Sequence, residues 1–355
     1  MTRSPKRSRR SVVNAASGEL VRRDRHYFLY RALAPLKRFL DDGEVVEISV
    51  NRPGEVYVER LGADHMEHHR LPELTSGEIV NIGERVAATT NQFVSASNPL
   101  LSAALPSGER IQIILPPAAP DGGALSIRKH RVSELTLEDY RNSGALEGVA
   151  INMQGMNETD RLLAHLLGEG EIFGFIRSAI ANRVSMLISG GTSTGKTTFL
   201  NACLRAVSRH ERIITLEDTR ELTPTQPNTL HLLASRGDQG TAQVTLQSLL
   251  EASLRMRPDR LFVGEVRGTE AFAFLRAINT GHPGSMSTVH ADTPLGAYEQ
   301  LAMMVMQSGL SSAYPKADLI SYIRSVIPIV VQLRRDGGRR GVSEILFARE
   351  RGTTP

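Results

Sequence analysis

The segment from residue 190 to residue 197 constrains the fold of this chain more than any other. It contains Gly-Gly-Thr-Ser-Thr-Gly-Lys-Thr, which fits the pattern G-x-x-x-x-G-K-T. The apolar run 185–189 before it predicts a buried strand, and residues 198–204 after it have the apolar spacing of a helix. Glycines allow the backbone to wrap closely around phosphate oxygens, and a helix N-terminus directs free N–H groups at them. The segment therefore predicts a strand–loop–helix unit that binds a nucleoside triphosphate.

The residues of this loop have distinct expected roles. Lys196 is expected to reach the β- and γ-phosphates, and the Thr197 hydroxyl to hold Mg²⁺. The predicted nucleotide contacts are Gly190, Gly191, Thr192, Ser193, Thr194, Gly195, Lys196, Thr197 and the following Thr198.

Length and charge restrict the remaining possibilities. The 355 residues are enough for two domains, and a single cysteine, Cys203, excludes a disulfide within the chain. The net charge is +4, yet the first ten residues alone carry five basic side chains and no acidic one, so the rest is near neutral. A near-neutral body argues against nucleic-acid binding. The basic tail, 1–22, is either a disordered leader or a weak anchor for an anionic lipid surface.

Neither a signal-peptide core nor a run of about 18 apolar residues occurs in the sequence. We therefore expect a cytoplasmic protein, with any membrane contact being peripheral.

Residues 23–130 predict a small α+β domain. An amphipathic helix is expected over 27–40, kinked or shortened by Pro35, and a helix from Thr75 to about Thr90 follows a possible capping box. The predicted strands are 45–50 and 55–59, joined as a hairpin, and then 110–115 and 124–129.

Residues 131–170 have weak periodicity and predict an interdomain linker. From 171 to 355 strands and helices alternate, which is typical of an α/β domain with a mostly parallel sheet. The expected elements are strands 213–216 and 261–263, helices 245–256 and 269–280, and a terminal hairpin of 329–333 and 342–347.

Carboxylates follow two of these strands, where α/β folds place their ligands. Glu265 ends an apolar strand and is expected to hold Mg²⁺ through water or to polarise the attacking water. Glu217 is the predicted general base, and Asp218 supports the metal-bound water, so the expected metal set is Thr197, Asp218 and Glu265. The alternative interpretation is that these are ordinary solvated carboxylates at strand ends.

Histidines occur in two further patterns. His282 and His290 bracket a short apolar strand and are either donors to a phosphate oxygen or core and capping residues. Residues 65–69, His-Met-Glu-His-His, are expected to form a solvated turn rather than a metal site.

Four segments together carry a family resemblance: the phosphate loop, residues 216–221 (LEDTRE), residues 254–267 (LRMRPDRLFVGEVR), and the stretch from 280 to 292 that begins TGHPG and ends HAD. They resemble the traffic ATPases of type IV secretion and conjugation systems, within the superfamily of bacterial secretion and pilus motors. The resemblance implies a RecA-like C-terminal motor domain behind a PAS-like N-terminal domain, and a ring of six subunits with nucleotide between the two domains.

The same resemblance assigns residues to roles. Glu217 is similar to the catalytic glutamate, Glu265 to the Walker B acid, and His282 and His290 to the histidine box. Arg110 and Arg128 resemble N-terminal-domain arginines that reach the nucleotide phosphates, or are surface charges of strands. The lack of a four-cysteine zinc module favours the type IV branch over type II motors, although pilus-retraction motors also lack it.

The implied function is Mg²⁺-dependent ATP hydrolysis that energises a secretion channel, with channel components of the inner membrane and a secreted protein or nucleoprotein as partners. A pilus-retraction motor, a nucleotide-dependent switch with little turnover, and a nucleic-acid translocase remain alternatives.

Overall fold

The computed structural model describes residues 26–129, 136–147, 156–235, 242–309 and 315–349. The chain forms two compact units, the first ending at residue 130 and the second taking in almost all of the later residues. The first is a small α+β unit and the second an α/β unit with a mostly parallel sheet, which confirms the predicted fold class. Within the described ranges, no helix has both the length and the apolar character needed to cross a bilayer.

The first unit is built on a six-stranded antiparallel sheet of order β3-β2-β1-β6-β5-β4. Side chains of the helices pack on one face of this sheet, and Ile48, Val58 and Ile82 lie in the resulting core. The elements are α1 (26–32), a 3-10 turn (Ala34–Leu36), α2 (Lys37–Asp41), β1 (Val45–Val50), β2 (Gly54–Arg60), β3 (Glu67–Leu71), α3 (Ser76–Thr90), β4 (Leu100–Ala104), β5 (Arg110–Ile114) and β6 (Ala124–Arg128).

Two local predictions in this unit can be compared with the structure. The helix expected over 27–40 is interrupted around Pro35, as the missing N–H and the fixed φ of proline require. Thr75 caps α3, because its hydroxyl accepts a hydrogen bond from the Glu78 N–H at 3.2 Å.

The prediction of a solvated turn at 65–69 is wrong from Glu67 onward, because β3 begins there and pairs with β2. His68 and His69 are consecutive strand residues and therefore point to opposite faces. The His68 ring lies against Tyr57, and the His69 ring lies against Phe39. The two imidazoles do not converge on a common ligand.

The segment predicted as a linker contains two helices, α4 (Leu137–Asn142) and α5 (Glu158–Gly168). A capping box formed by Asn157 and Asp160 starts α5, and Leu163 belongs to the core of the second unit. Asp160 also accepts hydrogen bonds from Arg349 at 2.9 and 3.0 Å. Residues 158–168 are thus part of the second unit, and their weak apolar periodicity hid a helix that is buried on one side only.

The second unit has a seven-stranded sheet of order β13-β12-β7-β11-β10-β8-β9, parallel except for the β12–β13 pair. Its strands 186–189, 213–217 and 260–263 are buried along their whole length, which explains their continuous apolar character. The elements are α6 (Ile172–Ala181), β7 (Met186–Ser189), α7 (Lys196–Arg205), β8 (Ile213–Glu217), β9 (Thr229–Leu233), α8 (Leu246–Ser253), β10 (Arg260–Val263), α9 (Glu270–Asn279), β11 (Met286–Val289), α10 (Pro294–Gln307), α11 (Lys316–Val326), β12 (Ile329–Asp336) and β13 (Arg339–Phe347).

Four neighbouring parallel strands position the site. β7, β11, β10 and β8 run in the same direction, so their carboxyl ends meet at one edge of the sheet. The phosphate loop, Glu217, Glu265 and His290 each follow or end one of these strands.

Candidate nucleotide-binding site

A pocket of about 320 Å³ lies at this edge of the second unit. Its lining comes from the phosphate loop and from segments that follow β8, β10 and β11, together with one residue of β13. The lining residues are Thr192, Ser193, Thr194, Gly195, Lys196, Thr197, Thr198, Glu217, Asp218, Thr219, Glu221, Gly264, Glu265, Arg267, Thr288, His290 and Arg340.

Two glycines are required by the shape of the phosphate loop. Gly190 has a φ of +156°, and a Cβ at this position would lie 2.8 Å from the carbonyl oxygen of Leu333. Gly195 has a φ of +94° and forms the N-cap of α7, a conformation that L side chains rarely adopt. The fold therefore sets the backbone conformation of the loop that lines the pocket.

Lys196 is buried and folds back on its own loop. Its Nζ donates to the carbonyl oxygens of Gly190 and Gly191 at 2.9 and 3.1 Å, and lies 3.2 Å from Nε2 of His290. Burial lowers the pKa of Lys196, while the nearby Glu265 carboxylate opposes that shift. A phosphate oxygen is a stronger acceptor for this ammonium group than a carbonyl oxygen. The Lys196 ammonium would therefore exchange the loop carbonyls for phosphate oxygens when nucleotide binds.

Glu217 is held by one of its two oxygens. Oε1 accepts the backbone N–H groups of Glu221 and Leu222, both at 2.8 Å. Among the described residues, Oε2 has no hydrogen-bond partner, although it is buried. Burial raises the pKa of this carboxyl group, and the two N–H donors partly offset the rise. This arrangement fixes the direction of a carboxylate whose second oxygen is available to accept a proton.

Glu265 and Asp218 are bridged by Arg267. The guanidinium donates to Glu265 Oε2 at 2.7 Å and to Asp218 Oδ2 at 3.2 Å. His290 Nε2 lies 2.8 Å from Glu265 Oε1, at an angle that makes no hydrogen bond, and that buried oxygen has no hydrogen-bond partner in the described part of the chain. Arg267 thus offsets part of the negative charge of two carboxylates that line the pocket.

The donor set fits Mg²⁺ held together with a nucleotide. The described ranges contain no group of three or more His, Cys, Asp or Glu side chains arranged to hold a metal by themselves. Mg²⁺ is usually bound by one or two protein oxygens with phosphates and water. Glu265, whose Oε1 makes no hydrogen bond among the described residues, and Thr197 with its hydroxyl line the same pocket, and their oxygens are suitable for this purpose.

Five of the residues predicted for the site do not line this pocket. Gly190 and Gly191 belong to the phosphate loop, where their carbonyl oxygens accept hydrogen bonds from Lys196, and the other three are His282, Arg110 and Arg128. His282 precedes β11, at the opposite edge of the sheet from His290, and its Nδ1 lies 2.9 Å from the carbonyl oxygen of Pro258. Arg110 and Arg128 belong to the first unit, where they are directly opposite each other on β5 and β6 and are exposed.

The structure adds six residues to the predicted site: Thr219, Glu221, Gly264, Arg267, Thr288 and Arg340. Arg267 and Gly264 flank Glu265 in sequence, and the strand-end position of Glu265 was a signal that both lie near the site. Arg340 lies in the terminal hairpin, and nothing in its local sequence points to the pocket.

The fold and this pocket define a P-loop protein of the α/β class that binds nucleotide. A family model described as "Type II/IV secretion system protein" matches residues 30–336, and the chain belongs to this family.

Several relatives match nearly the whole chain. The type IV secretion system protein VirB11 of Bartonella henselae is 36% identical over 327 residues, which cover 89% of this chain and 91% of the relative. Protein VirB11 of Agrobacterium fabrum is 35% identical over 329 residues, with 91% and 95% covered. The crystal structure of the VirB11 ATPase from the Brucella suis type IV secretion system, in complex with sulphate, superposes with a TM-score of 0.86 at 34% identity and covers 92% of this chain and 96% of that one.

Proposed function

We propose that this chain is an ATP-hydrolysing motor that energises assembly of, and transfer through, a type IV secretion or conjugation channel. The observation that carries the proposal is Glu217, a buried carboxylate anchored through Oε1 with a free Oε2, in the same pocket as the phosphate loop. A switch that only binds nucleotide does not need such a base. The similarity to VirB11 proteins over about nine-tenths of the chain supports the secretion role.

Each residue of the pocket would have a distinct role in hydrolysis. Lys196 exchanges the loop carbonyls for phosphate oxygens and neutralises charge on the β- and γ-phosphates. Thr197, Glu265 and Asp218 would hold Mg²⁺, which when bound neutralises phosphate charge. Glu217 Oε2 orients the attacking water and takes its proton, while the Glu221 and Leu222 amides keep the carboxylate in place.

His290 lies between Lys196 and Glu265, with Nε2 at 3.2 Å from the lysine Nζ and 2.8 Å from the carboxylate. When a phosphate moves Lys196 away, the imidazole would lose its contact with the lysine and keep its contact with Glu265. The contacts of His290 would therefore depend on whether nucleotide occupies the site. For Arg110, Arg128 and His282 a role in hydrolysis stays a prediction.

The assembly would be a ring of six identical subunits on the cytoplasmic face of the inner membrane. Its partners would be channel components and a secreted protein or nucleoprotein. The first ten positions carry five basic residues and no acidic one, while the rest of the chain is near neutral. This positive segment is suited to a peripheral contact with an anionic surface.

The test is Mg²⁺-dependent ATP hydrolysis measured across a protein-concentration series beside the mass in solution. Turnover that rises with a six-subunit species is the expected result. Lys196→Ala should abolish turnover, and Glu217→Gln should keep ATP binding and lose hydrolysis. Normal turnover in Lys196→Ala would refute the site, and tight ATP binding without turnover at any assembly state would favour the switch.

A further inference from the structure

The terminal hairpin β12–β13 lies directly beside the phosphate loop. β12 pairs in parallel with β7, the strand that leads into the loop, and Gln332 is opposite Ser189. The Leu333 carbonyl oxygen would be only 2.8 Å from a Cβ at Gly190, so the two backbones touch. The part of the hairpin beyond Leu333 therefore extends past the rim of the pocket.

Arg340 is the hairpin residue that lines the pocket. Its Cδ lies 3.5 Å from the position that a Cβ on Gly195 would occupy, which places the guanidinium next to the N-terminus of α7. The side chain is exposed, and no ion pair or hydrogen bond to it is formed within the described residues. Of the two carboxylates in the hairpin strands, Asp336 lies 3.5 Å from Arg334, and Glu344 is opposite Gln332.

The hairpin register sets Arg340 against a like charge. Arg340 is directly opposite Arg335 on β12, and directly opposite residues of an antiparallel pair point to the same face. Like charges in such a pair destabilise the hairpin, and an anion between or beside them removes the repulsion. Arg339 is the neighbouring residue on β13, is opposite Asp336 and does not line the pocket.

We propose that Arg340 is a nucleotide-binding residue whose guanidinium donates to phosphate oxygens of the nucleotide held by the phosphate loop. The planar fork of arginine matches phosphate geometry, and a phosphate beside Gly195 is within reach of a side chain whose Cδ already contacts that residue. The inference rests on nucleotide binding at this pocket and not on turnover. It makes the terminal hairpin part of the site.

The test compares Arg340→Ala with Arg339→Ala, a matched change of charge one residue away on the same strand. Affinity for a non-hydrolysable ATP analogue and for ADP is measured by calorimetry, and KM and kcat are measured separately. One charge-assisted contact predicts about a tenfold loss of affinity and a similar rise in KM, with kcat little changed, for Arg340→Ala. Arg339→Ala should bind as the unchanged protein does.

A third variant, Arg340→Lys, keeps the charge and loses the fork, so it should recover part of the affinity. Unchanged affinity in Arg340→Ala would overturn the proposal, as would an equal loss in Arg339→Ala or no recovery in Arg340→Lys. A variant whose thermal unfolding differs from that of the unchanged protein is replaced by Arg340→Gln. If the unchanged protein binds nucleotide but does not hydrolyse it, the motor proposal fails while the binding comparison still decides the role of Arg340.

Discussion

A single methyl group at Gly264 should impair the reaction by moving Glu217. A Cβ built on Gly264 lies 3.2 Å from Cγ of Glu217 and 3.8 Å from its Oε1, whereas ordinary contacts of this kind begin near 3.4 Å. The glycine is not in the left-handed region, so alanine is compatible with its backbone. The Glu217 side chain must therefore shift by a few tenths of an ångström, which disturbs the two 2.8 Å hydrogen bonds that hold it.

The size of the effect follows from those two hydrogen bonds. A hydrogen bond to a charged group contributes about 1.5–3 kcal/mol, and weakening rather than losing a pair of them costs on the order of 1.4 kcal/mol. In the transition state this corresponds to about a tenfold fall in kcat. Because the phosphate loop is unchanged, KM should stay within about a factor of two, on the reasoning that KM rises only when ground-state contacts are lost.

The assay is steady-state ATP hydrolysis by Gly264→Ala beside its thermal unfolding curve. Gly168→Ala is the control, since a Cβ on Gly168 meets no atom within 4 Å and the residue ends α5. An unchanged kcat in a Gly264→Ala protein of normal stability would refute the argument that the direction of Glu217 limits the reaction.

Three other outcomes are expected. Burial raises the folded-state pKa of Glu217 above its unfolded value, so the folded protein loses stability as pH rises through the folded-state pKa and the carboxyl group ionises. Glu217→Gln should therefore raise Tm at neutral pH, with a gain that shrinks as pH falls towards the ordinary glutamate pKa. A gain independent of pH would contradict this reasoning. Burial raises the pKa of Cys203 to about 12, so its thiol should resist a maleimide in the native protein and react once denaturant unfolds it; rapid native labelling would show that α7 opens locally. Glu211 accepts two 2.7 Å hydrogen bonds from the buried Arg260. Glu211→Gln should therefore lower the free energy of unfolding by about 3–5 kcal/mol and Tm by roughly 10 °C in thermal unfolding. Arg183→Ala removes the exposed partner of Glu211 and should lower the free energy of unfolding by less than about 1 kcal/mol.

The elements that could be predicted from the sequence are those with strong local signals. The hairpin at 45–60, the capped helix after Thr75 and the strands before the phosphate loop and Glu265 each combine a clear apolar period with turn or cap residues. β3 was not predicted, because an edge strand exposes polar side chains such as His68. α5 falls among the short helical stretches of the predicted linker and was not assigned to the second unit, because a helix with one buried face carries few apolar residues. In both, pairing or packing with distant segments outweighs local composition.

The site likewise contains residues that the sequence predicts and residues that only the tertiary structure places there. Lys196, Glu217 and Glu265 are at strand ends or in a continuous motif, so the sequence alone predicts that they meet. His282 and His290 belong to one motif, but β11 lies between them in the chain. Because His282 precedes the strand and His290 follows it, the two side chains lie at opposite edges of the sheet. Arg340 is placed in the pocket by the pairing of β12 with β7, which is a contact between segments far apart in the chain.

The pocket holds polar atoms and cations that a bound nucleotide could contact. Glu217 Oε2 is buried without a hydrogen-bond partner among the described residues, and such an atom costs about 1–3 kcal/mol, whereas Glu265 Oε1 has the His290 ring at 2.8 Å. Glu217 and Glu265 lie at the ends of β8 and β10, whose pairing fixes Leu216 opposite Val263 and so sets the spacing of the two carboxylates in the sheet. Lys196 meanwhile bonds to carbonyls of its own loop, and Arg267 bridges Glu265 to Asp218. A triphosphate with its metal and water would supply acceptors to both cations and partners to both oxygens, so nucleotide binding should stabilise this unit by more than the contacts of the phosphate loop alone provide.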